Sequence, residues 1–195
     1  MAPREEQAQG DLVFMGPPGS GKGTQVRFLK EAHGWEHLAT GDLFRDHLRL
    51  GTPLGRLAEE HMSKGHYVPD EVTVGMVRER LARIPASTRI VFDGFPRTVA
   101  QARALDELLG QHGRRVGCVV LLEVPREELL GRISTRGRSS ARSDDSPEVL
   151  ARRLEVYDER TRPVVEHYEK AGLLRRIEGV GGVDEIRARV AEAIA

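Results

Sequence analysis

Short apolar runs alternate along the chain with longer segments in which apolar residues recur at helical spacing. The apolar runs predict strands over residues 12–15, 36–39, 89–92, 116–124 and 174–177. Strands separated by helical segments are typical of a parallel sheet whose two faces are both covered by helices. The pattern therefore predicts an α/β fold built around a parallel five-stranded sheet with helices on both faces.

Capping residues mark the starts of several helices. Thr52 and Ser146 each place a hydroxyl directly before a proline, which suits the first turn of a helix. Asp70 is predicted to cap the following helical segment. Pro163 falls inside the long helical segment over residues 146–171, where its ring is expected to bend or divide the helix.

The first apolar run leads into a glycine-rich loop and then into a helical segment. The loop reads Gly16-Pro17-Pro18-Gly19-Ser20-Gly21-Lys22-Gly23-Thr24. Glycines let consecutive N–H groups surround phosphate oxygens at a helix N-terminus, and the lysine adds a mobile positive charge. Gly23 stands where most such loops carry Ser or Thr, so the hydroxyl is displaced to Thr24. The arrangement predicts binding of nucleotide phosphates; an ordinary glycine-rich turn is the alternative.

The composition limits the classes of partner. The 195 residues suffice for one domain with a buried core, and 30 basic residues balance 30 acidic ones. The chain thus has no global field to attract nucleic acid or an anionic membrane. A single cysteine, Cys118, excludes an internal disulfide and a multi-cysteine zinc site. Residues 1–10 are polar and lack an apolar signal core, so we expect a flexible N-terminal extension on a cytoplasmic protein.

Two further polar clusters follow predicted strands. Thr40-Gly41-Asp42 opens a helical segment that carries Arg45, and a helix start favours an anion. Asp93 and Arg97 follow the strand over residues 89–92, at the carboxyl edge where open α/β sheets bind ligands. Asp93 resembles the metal-orienting aspartate of phosphate-loop enzymes, and a simple turn acid is the alternative. Gln101 is ambiguous, because the spacing from Thr98 also fits a capping box.

An arginine-rich segment over residues 132–145 forms the fourth cluster. It contains Arg132, Arg136, Arg138 and Arg142, and Arg153 follows on the next predicted helix. Composition alone describes a solvated surface loop. Beside a phosphate loop, the same arginines suit phosphoryl transfer between two nucleotides, because the concentrated negative charge needs several converging cations.

In order and spacing, these motifs resemble those of the adenylate kinases, from about residue 12 to the C-terminus. The resemblance rests on the phosphate loop, Thr40-Gly41-Asp42 with Arg45, Gly65-His66-Tyr67-Val68-Pro69, Asp93-Gly94-Phe95-Pro96-Arg97-Thr98 with Gln101, and the arginine-rich segment. The loop after Arg136 is too short for the long zinc-binding lid of the larger bacterial enzymes, so the chain resembles the short form and is expected to hold no zinc. Ala141 stands where the family usually has glycine, which puts the hinge of this loop and the placement of Arg142 in question.

The resemblance implies a phosphate-loop NTPase fold with a helical AMP-binding insertion over about residues 40–69 and a short lid over about residues 136–146. Residues 11–195 would form one kinase domain. The implied reaction is reversible phosphoryl transfer from MgATP to AMP, giving two ADP, which serves adenine nucleotide homeostasis. We expect a monomer, since all the clusters fit within one chain. The implied partners are ATP, AMP and ADP, with neither nucleic acid nor a membrane.

The resemblance also implies roles for individual residues. ATP would be bound by Gly19, Ser20, Gly21, Lys22, Gly23, Thr24, Arg136 and the Gly181 backbone. AMP would be bound by Thr40, Arg45, His66, Tyr67, Val68, Gly94, Phe95, Pro96, Arg97, Gln101, Arg142 and Arg153. The catalytic set would be Lys22, Arg97, Arg132, Arg136, Arg142 and Arg153. Asp93 would act on Mg²⁺ through bound water.

Two alternatives stay open at this point. Thr40 and Gln101 resemble the adenylate type, whereas pyrimidine monophosphate kinases tend to carry Ala and Asn there; the arginine-rich segment resembles both, so a pyrimidine or broad-specificity kinase is the nearer alternative. A switch protein of the small GTPase kind is the more distant one. It would need an Asn-Lys-x-Asp motif and a Ser or Thr directly after Lys22, and the sequence has neither.

Overall fold

The computed structural model describes residues 10–139 and 146–195, with the backbone alone for residues 133–139 and 147. Residues 1–9 of the predicted extension and residues 140–145 of the predicted lid lie outside the described residues. Gly10 is buried, and its carbonyl oxygen accepts a hydrogen bond from Nε of Arg89 at 2.6 Å. The ordered fold thus includes Gly10.

A parallel sheet of five strands forms the centre of the molecule, in the order β2-β3-β1-β4-β5. The strands are β1 (Asp11–Met15), β2 (Glu36–Ala39), β3 (Ile90–Asp93), β4 (Val116–Glu123) and β5 (Leu174–Glu178). The first and last residues of each strand differ by at most one position from the ends of the apolar run that predicts it. The predicted α/β fold class is confirmed.

Helices connect the strands and cover the sheet. They are α1 (Lys22–His33), α2 (Thr40–Arg49), α3 (Pro53–Met62), α4 (Asp70–Leu81), α5 (Val99–Gln111), α6 (Arg126–Ser139), α7 (Pro147–Val156), α8 (Arg162–Lys170) and α9 (Val183–Ile194). A π-helical turn, Tyr157–Thr161, joins α7 to α8. None of the described helices is both long and apolar enough to span a membrane.

Alternate residues of β1 enter two different apolar cores. Leu12 and Phe14 pack with side chains from α1 and α9, whereas Val13 and Met15 pack with side chains from α4, α5 and α8. This alternation follows from the two-residue period of a strand, and the burial of both faces explains why the strands read as continuous apolar runs. The cores hold the sheet rigid beneath the loops at its carboxyl edge.

A separate, smaller apolar cluster lies in the segment between β2 and β3. It is formed by Phe44, Ala58, Val68 and Met76, from α2, α3, α4 and the loop before α4. The segment thus has its own packing centre, and its assignment as an AMP-binding insertion stays a prediction at this stage.

The predicted helix caps are confirmed at two positions. The hydroxyl of Thr52 accepts from the backbone N–H of Gly55 at 3.0 Å, and that of Ser146 accepts from the N–H of Val149 at 3.3 Å. The predicted cap at Asp70 is wrong, because Pro69 occupies the cap position and Asp70 is the first residue of α4. Its carboxylate is engaged instead by side chains of the segment that begins α5.

The predicted break near Pro163 is confirmed as the π-helical turn. The backbone N–H of Arg162 donates to the carbonyl of Tyr157, five residues earlier. Proline lacks an N–H group and its ring clashes with the preceding turn of a helix, so the chain widens before Pro163. Thr161, at the end of this turn, is buried.

A buried ion pair ties the start of the sheet together. Asp11 of β1 accepts two hydrogen bonds from the guanidinium of Arg114, at 2.6 and 2.8 Å, and both side chains are less than a tenth exposed. Asp11 also accepts from the backbone N–H of Ile90 at 2.9 Å, and Arg114 donates to the carbonyl of Thr88 at 2.6 Å. One carboxylate thereby joins β1, β3 and the loop before β4.

We expect Asp11→Ala to lower the free energy of unfolding by about 3–5 kcal/mol, because it leaves the Arg114 guanidinium buried without its carboxylate. Urea denaturation measures the change. Asp46→Ala is the matched control, since Asp46 pairs with Arg49 on the surface and both side chains are more than half exposed; it should cost less than about 1 kcal/mol. Equal losses in the two variants would contradict the account of the Asp11 pair.

Candidate active site

The phosphate-binding loop connects the end of β1 to the start of α1. Gly16 and Gly21 have φ angles of 150° and 94°, a region that side chains with a Cβ rarely adopt. A Cβ on Gly16 would also lie 2.8 Å from the hydroxyl oxygen of Ser20. Gly16 and Gly21 are therefore required by the backbone, and the loop ends at a helix N-terminus.

Lys22 folds back over this loop. Its Nζ donates to the carbonyl oxygens of Gly16 and Pro17, at 2.5 and 2.9 Å. The ammonium group is thus held beside the glycines whose backbone the sequence assigns to phosphate binding. The arrangement places a positive charge at the loop.

Asp93 ends β3, between β1 and β2 in the sheet. In the parallel register it lies opposite Phe14 of β1 and Ala39 of β2. Nε2 of His37 lies 3.3 Å from its Oδ2. Burial by itself would raise the pKa of Asp93, but the hydrogen bond from His37 and the charges of Lys22, His37 and Arg97 together hold the pKa below its usual value. Asp93 is therefore an ionised carboxylate beside the phosphate loop.

The chain turns sharply after Asp93 and brings Arg97 back towards it. Nε of Arg97 donates to the carbonyl of Gly94 at 2.6 Å, and the hydroxyl of Thr40 donates to the same oxygen at 3.0 Å. Gly94 has a φ of 72°, and a Cβ there would lie 2.7 Å from the Arg97 guanidinium. The Phe95–Pro96 peptide bond is cis. The turn over residues 94–97 thus holds the Arg97 side chain against the backbone of Gly94.

Tyr67 and Thr161 hold Arg97 from the other side. The guanidinium carbon lies 5.0 Å from the centre of the Tyr67 ring, a cation–π contact. The Thr161 hydroxyl donates to the carbonyl oxygen of Arg97 at 2.9 Å and lies 2.7 Å from the Tyr67 hydroxyl. A hydroxyl has one hydrogen, so Tyr67 is the donor to Thr161. Sequence reasoning missed Thr161, and the break at Pro163 is the only signal near it.

Gln101, at the start of α5, is held at its backbone N–H and at both ends of its side-chain amide. Its backbone N–H donates to the Thr98 hydroxyl at 3.1 Å, so half of the capping-box alternative is confirmed. A capping box would also need a bond from the backbone N–H of Thr98 to the side-chain oxygen of Gln101. That oxygen accepts instead from the backbone N–H of Arg97, at 2.7 Å. The side-chain nitrogen of Gln101 donates to Asp70 at 2.7 Å.

The arginines assigned to the site occupy different positions. Arg45 pairs with Asp42 at 2.6 Å in the first turns of α2. Arg132 donates to the carbonyls of Ser20 and Gly179, at 3.4 and 3.0 Å, and so bridges the phosphate loop and the loop after β5. The side chain of Arg136 and the whole of Arg142 and Ala141 lie outside the described residues.

One cavity of about 650 Å³ brings most of the predicted site residues together. Its lining includes Gly19, Gly21, Lys22, Gly23, Thr24, Thr40, Arg45, His66, Tyr67, Val68, Asp93, Gly94, Phe95, Pro96, Arg97, Gln101 and Arg153. Ser20, Arg132 and Gly181 are not part of this lining. The lining adds His37, Tyr157 and Thr161, which sequence reasoning did not assign. Burial raises the pKa of Tyr157, so its hydroxyl stays protonated at neutral pH.

The donor groups in the cavity suit a metal ion that arrives with a phosphate ligand. Among residues 10–139 and 146–195, no group of three or more His, Cys, Asp or Glu side chains is placed to hold a metal. Mg²⁺ is typically bound by one or two carboxylates together with substrate phosphates and water. Asp93 supplies such a carboxylate beside the phosphate loop, so the site fits Mg²⁺ carried by a nucleotide.

The sequence profile of the adenylate kinase family matches residues 14–173 of this chain. The chain is 49% identical to the adenylate kinase of Thermus thermophilus over 183 residues, which covers 94% of this chain and 96% of the relative. It is 45% identical to the adenylate kinases of Xanthomonas campestris and Stenotrophomonas maltophilia, again over 183 residues, with 94% of this chain and 98% of each relative covered. With the glycine-rich loop, Asp93, Arg97 and Gln101 on one cavity, these likenesses establish that the chain belongs to the adenylate kinase family.

Proposed function

We propose that this chain catalyses reversible phosphoryl transfer from MgATP to AMP and produces two molecules of ADP. Membership of the family supports the reaction. The observation that carries the proposal is that the phosphate loop and the Arg97 motif line the same cavity, so two phosphate-binding elements face one space. A nucleotide switch of the GTPase kind is ruled out by the family.

The phosphate loop binds the triphosphate of ATP in this proposal. Consecutive N–H groups from Gly19 to Thr24 surround the phosphate oxygens, and Lys22 exchanges its loop carbonyls for the transferred phosphoryl group. Arg132 donates to carbonyls of this loop and of Gly179, and so holds the two loops that bind ATP next to each other. The Gly181 backbone lies beside the adenine of ATP, and Arg136 reaches its phosphates.

AMP binds on the opposite side of the reacting group. Arg45 and Arg97 bind its phosphate, while Thr40, Val68 and Gln101 contact its base or sugar. His66, Tyr67 and the Gly94-Phe95-Pro96 turn complete the pocket. Arg142 and Arg153 approach from the acceptor side. The positive charges on both sides stabilise the charge that develops on the transferred group.

The reaction needs no covalent enzyme intermediate. A phosphate oxygen of AMP is already a nucleophile at neutral pH, so the protein supplies alignment and charge stabilisation. Asp93 would hold, through water, the Mg²⁺ that arrives with ATP, and that ion would neutralise phosphate oxygens. Closure of residues 41–68 over the nucleotides would exclude water, which would otherwise hydrolyse ATP; the resemblance implies the same role for the loop that ends at residue 145, whose residues 140–145 lie outside the described part of the chain. We also propose that the protein is a monomer and acts in the cytoplasm, where its nucleotide substrates are found.

A panel of acceptors tests this function directly. With MgATP and AMP, the purified protein should form two ADP for each AMP consumed, and should use UMP, CMP and GMP much more slowly. Separation of the nucleotides by chromatography measures each product. ATP consumption at the same rate with and without AMP would contradict the proposal, and faster transfer to UMP or CMP would favour the pyrimidine alternative.

Arg97→Ala should lower turnover by about 10³-fold, because one phosphate-clamping arginine in phosphoryl transfer can be worth that much. The unfolding midpoint should change little, because among the described residues the guanidinium hydrogen-bonds to the neighbouring Gly94 carbonyl alone and stacks on Tyr67, while His37 and Lys22 still offset the burial of Asp93. Arg103→Ala, on the exposed face of α5, is the matched control and should leave turnover unchanged. Near-normal turnover of Arg97→Ala would remove this residue from the site.

His37→Ala should raise the pKa of Asp93, because it removes a hydrogen bond and a nearby charge that oppose the effect of burial. A carboxylate with a lowered folded pKa contributes stability that is lost as the pH falls through that pKa, so acid unfolding of the variant should begin at a higher pH. Carbon-13 NMR of the Asp93 carboxyl follows the titration. His167→Ala, which removes a surface contact with Asp106, is the control and should leave the pKa of Asp93 unchanged.

A further inference from the structure

Asp70 lies at the junction of α4 and α5 and accepts hydrogen bonds from two side chains. The Thr98 hydroxyl donates to its Oδ2, and Nε2 of Gln101 donates to its Oδ1, both at 2.7 Å. Thr98 and Gln101 are buried. Asp70 itself is not among the residues that line the cavity, whereas Gln101 is. Asp70 therefore acts on the cavity only through its neighbours.

The two ends of the Gln101 amide are told apart by their partners. The backbone N–H of Arg97 can only donate, and it binds the amide oxygen at 2.7 Å. The Asp70 carboxylate accepts from the amide nitrogen. If the amide turned by 180°, its oxygen would face the carboxylate and its NH₂ group would face another N–H. Both hydrogen bonds would be lost and two repulsive contacts would form, so the orientation is fixed.

A fixed amide can recognise only one arrangement of donor and acceptor. Each side-chain amide has two N–H hydrogens and two oxygen lone pairs, and the protein uses one of each in Gln101. The remaining N–H and lone pair fit a base edge that offers a ring-nitrogen acceptor next to an amino donor. Adenine offers this pattern, with its 6-amino group beside N1 or N7. A 6-oxopurine presents O6 instead, beside a protonated N1, and that pattern fits the turned amide.

We propose that Asp70 is a specificity-determining residue of the monophosphate site. By fixing the side-chain amide of Gln101, it makes the site select 6-aminopurine over 6-oxopurine monophosphates. The inference rests on the proposed function, in which this cavity binds AMP. Asp70 contacts no substrate atom and is a positioning residue.

Asp70→Asn tests the inference with little change of shape. The asparagine amide can present either an oxygen or an NH₂ group to Gln101, so it removes one of the two contacts that oppose the turned glutamine, while the backbone N–H of Arg97 still opposes it. We expect the ratio of kcat/KM for AMP to that for inosine monophosphate to fall about fivefold to tenfold, the usual net value of one hydrogen bond. The KM for ATP should not change. Inosine monophosphate is the probe, because its base differs from adenine only at position 6 and at the proton on N1.

Glu71→Gln is the matched control. Glu71 is the next residue in the first turn of α4, and its side chain is exposed. The Glu71→Gln substitution removes the same negative charge as Asp70→Asn, at a side chain that has no hydrogen bond to Gln101 among the described contacts. It should keep the wild-type ratio, which separates the orientation of Gln101 from a general effect of charge at the helix start. Calorimetric binding of AMP and inosine monophosphate to both variants gives the same comparison without turnover.

Hydrogen exchange of the Gln101 side-chain NH₂ group, followed by NMR in the wild-type protein, tests the fixed amide even where a variant fails to fold. Slow exchange is expected, and exchange as fast as in an exposed glutamine would overturn the inference. An unchanged ratio in Asp70→Asn, or a wild-type protein that uses inosine monophosphate as well as AMP, would overturn the inference and leave the proposed function standing. A wild-type protein that neither binds AMP nor phosphorylates it would overturn the proposed function.

Discussion

The parallel pairing of β3 with both β1 and β2 is the constraint on which the site depends. It brings the ends of three strands to one edge of the sheet, so that the phosphate loop after β1, Thr40 after β2 and Asp93 at the end of β3 become neighbours. A carboxylate buried at that point is costly unless positive or donor groups surround it. His37, Lys22 and Arg97 supply them, and each comes from a different segment of the chain. The fold thus assembles the charges of the site by pairing strands.

Backbone carbonyls and buried hydroxyls then fix the side chains that face the cavity. The Gly94 carbonyl accepts from both Thr40, which follows β2, and Arg97, which follows β3. Thr161 joins the Arg97 backbone to Tyr67, so the π-helical turn before α8 contacts the loop before α4. Each bond adds little stability by itself, but together they leave the arginine few alternative positions. Such preorganisation is what phosphoryl transfer requires of a protein, since alignment is most of the catalysis.

Patterns within a few neighbouring residues predict the features that those residues determine by themselves: strands, tight loops and helix caps. Apolar runs give all five strands, glycine spacing gives the phosphate loop, and hydroxyls before prolines give the caps at Thr52 and Ser146. The contacts of Asp70 with Gln101 and of Tyr67 with Thr161 join residues 31 and 94 positions apart, so no short-range pattern contains them. For that reason the local pattern predicts a cap at Asp70, although its carboxylate binds side chains at the start of α5. The expected roles of Arg136 and Arg142 fall on side chains outside the described part of the chain.

The contact of Lys22 with its own loop has a consequence for selectivity. Its ammonium group already has the carbonyl oxygens of Gly16 and Pro17 as partners, so an incoming ligand must compete with the protein for that charge. Water or a neutral hydroxyl offers nothing better than a carbonyl, whereas a fully anionic oxygen forms a bond roughly twice as strong. The Lys22 ammonium group therefore stays on its loop carbonyls in the presence of neutral ligands and leaves them for an anionic oxygen. The same two carbonyls therefore set a lower limit on the charge that a ligand of this loop must carry.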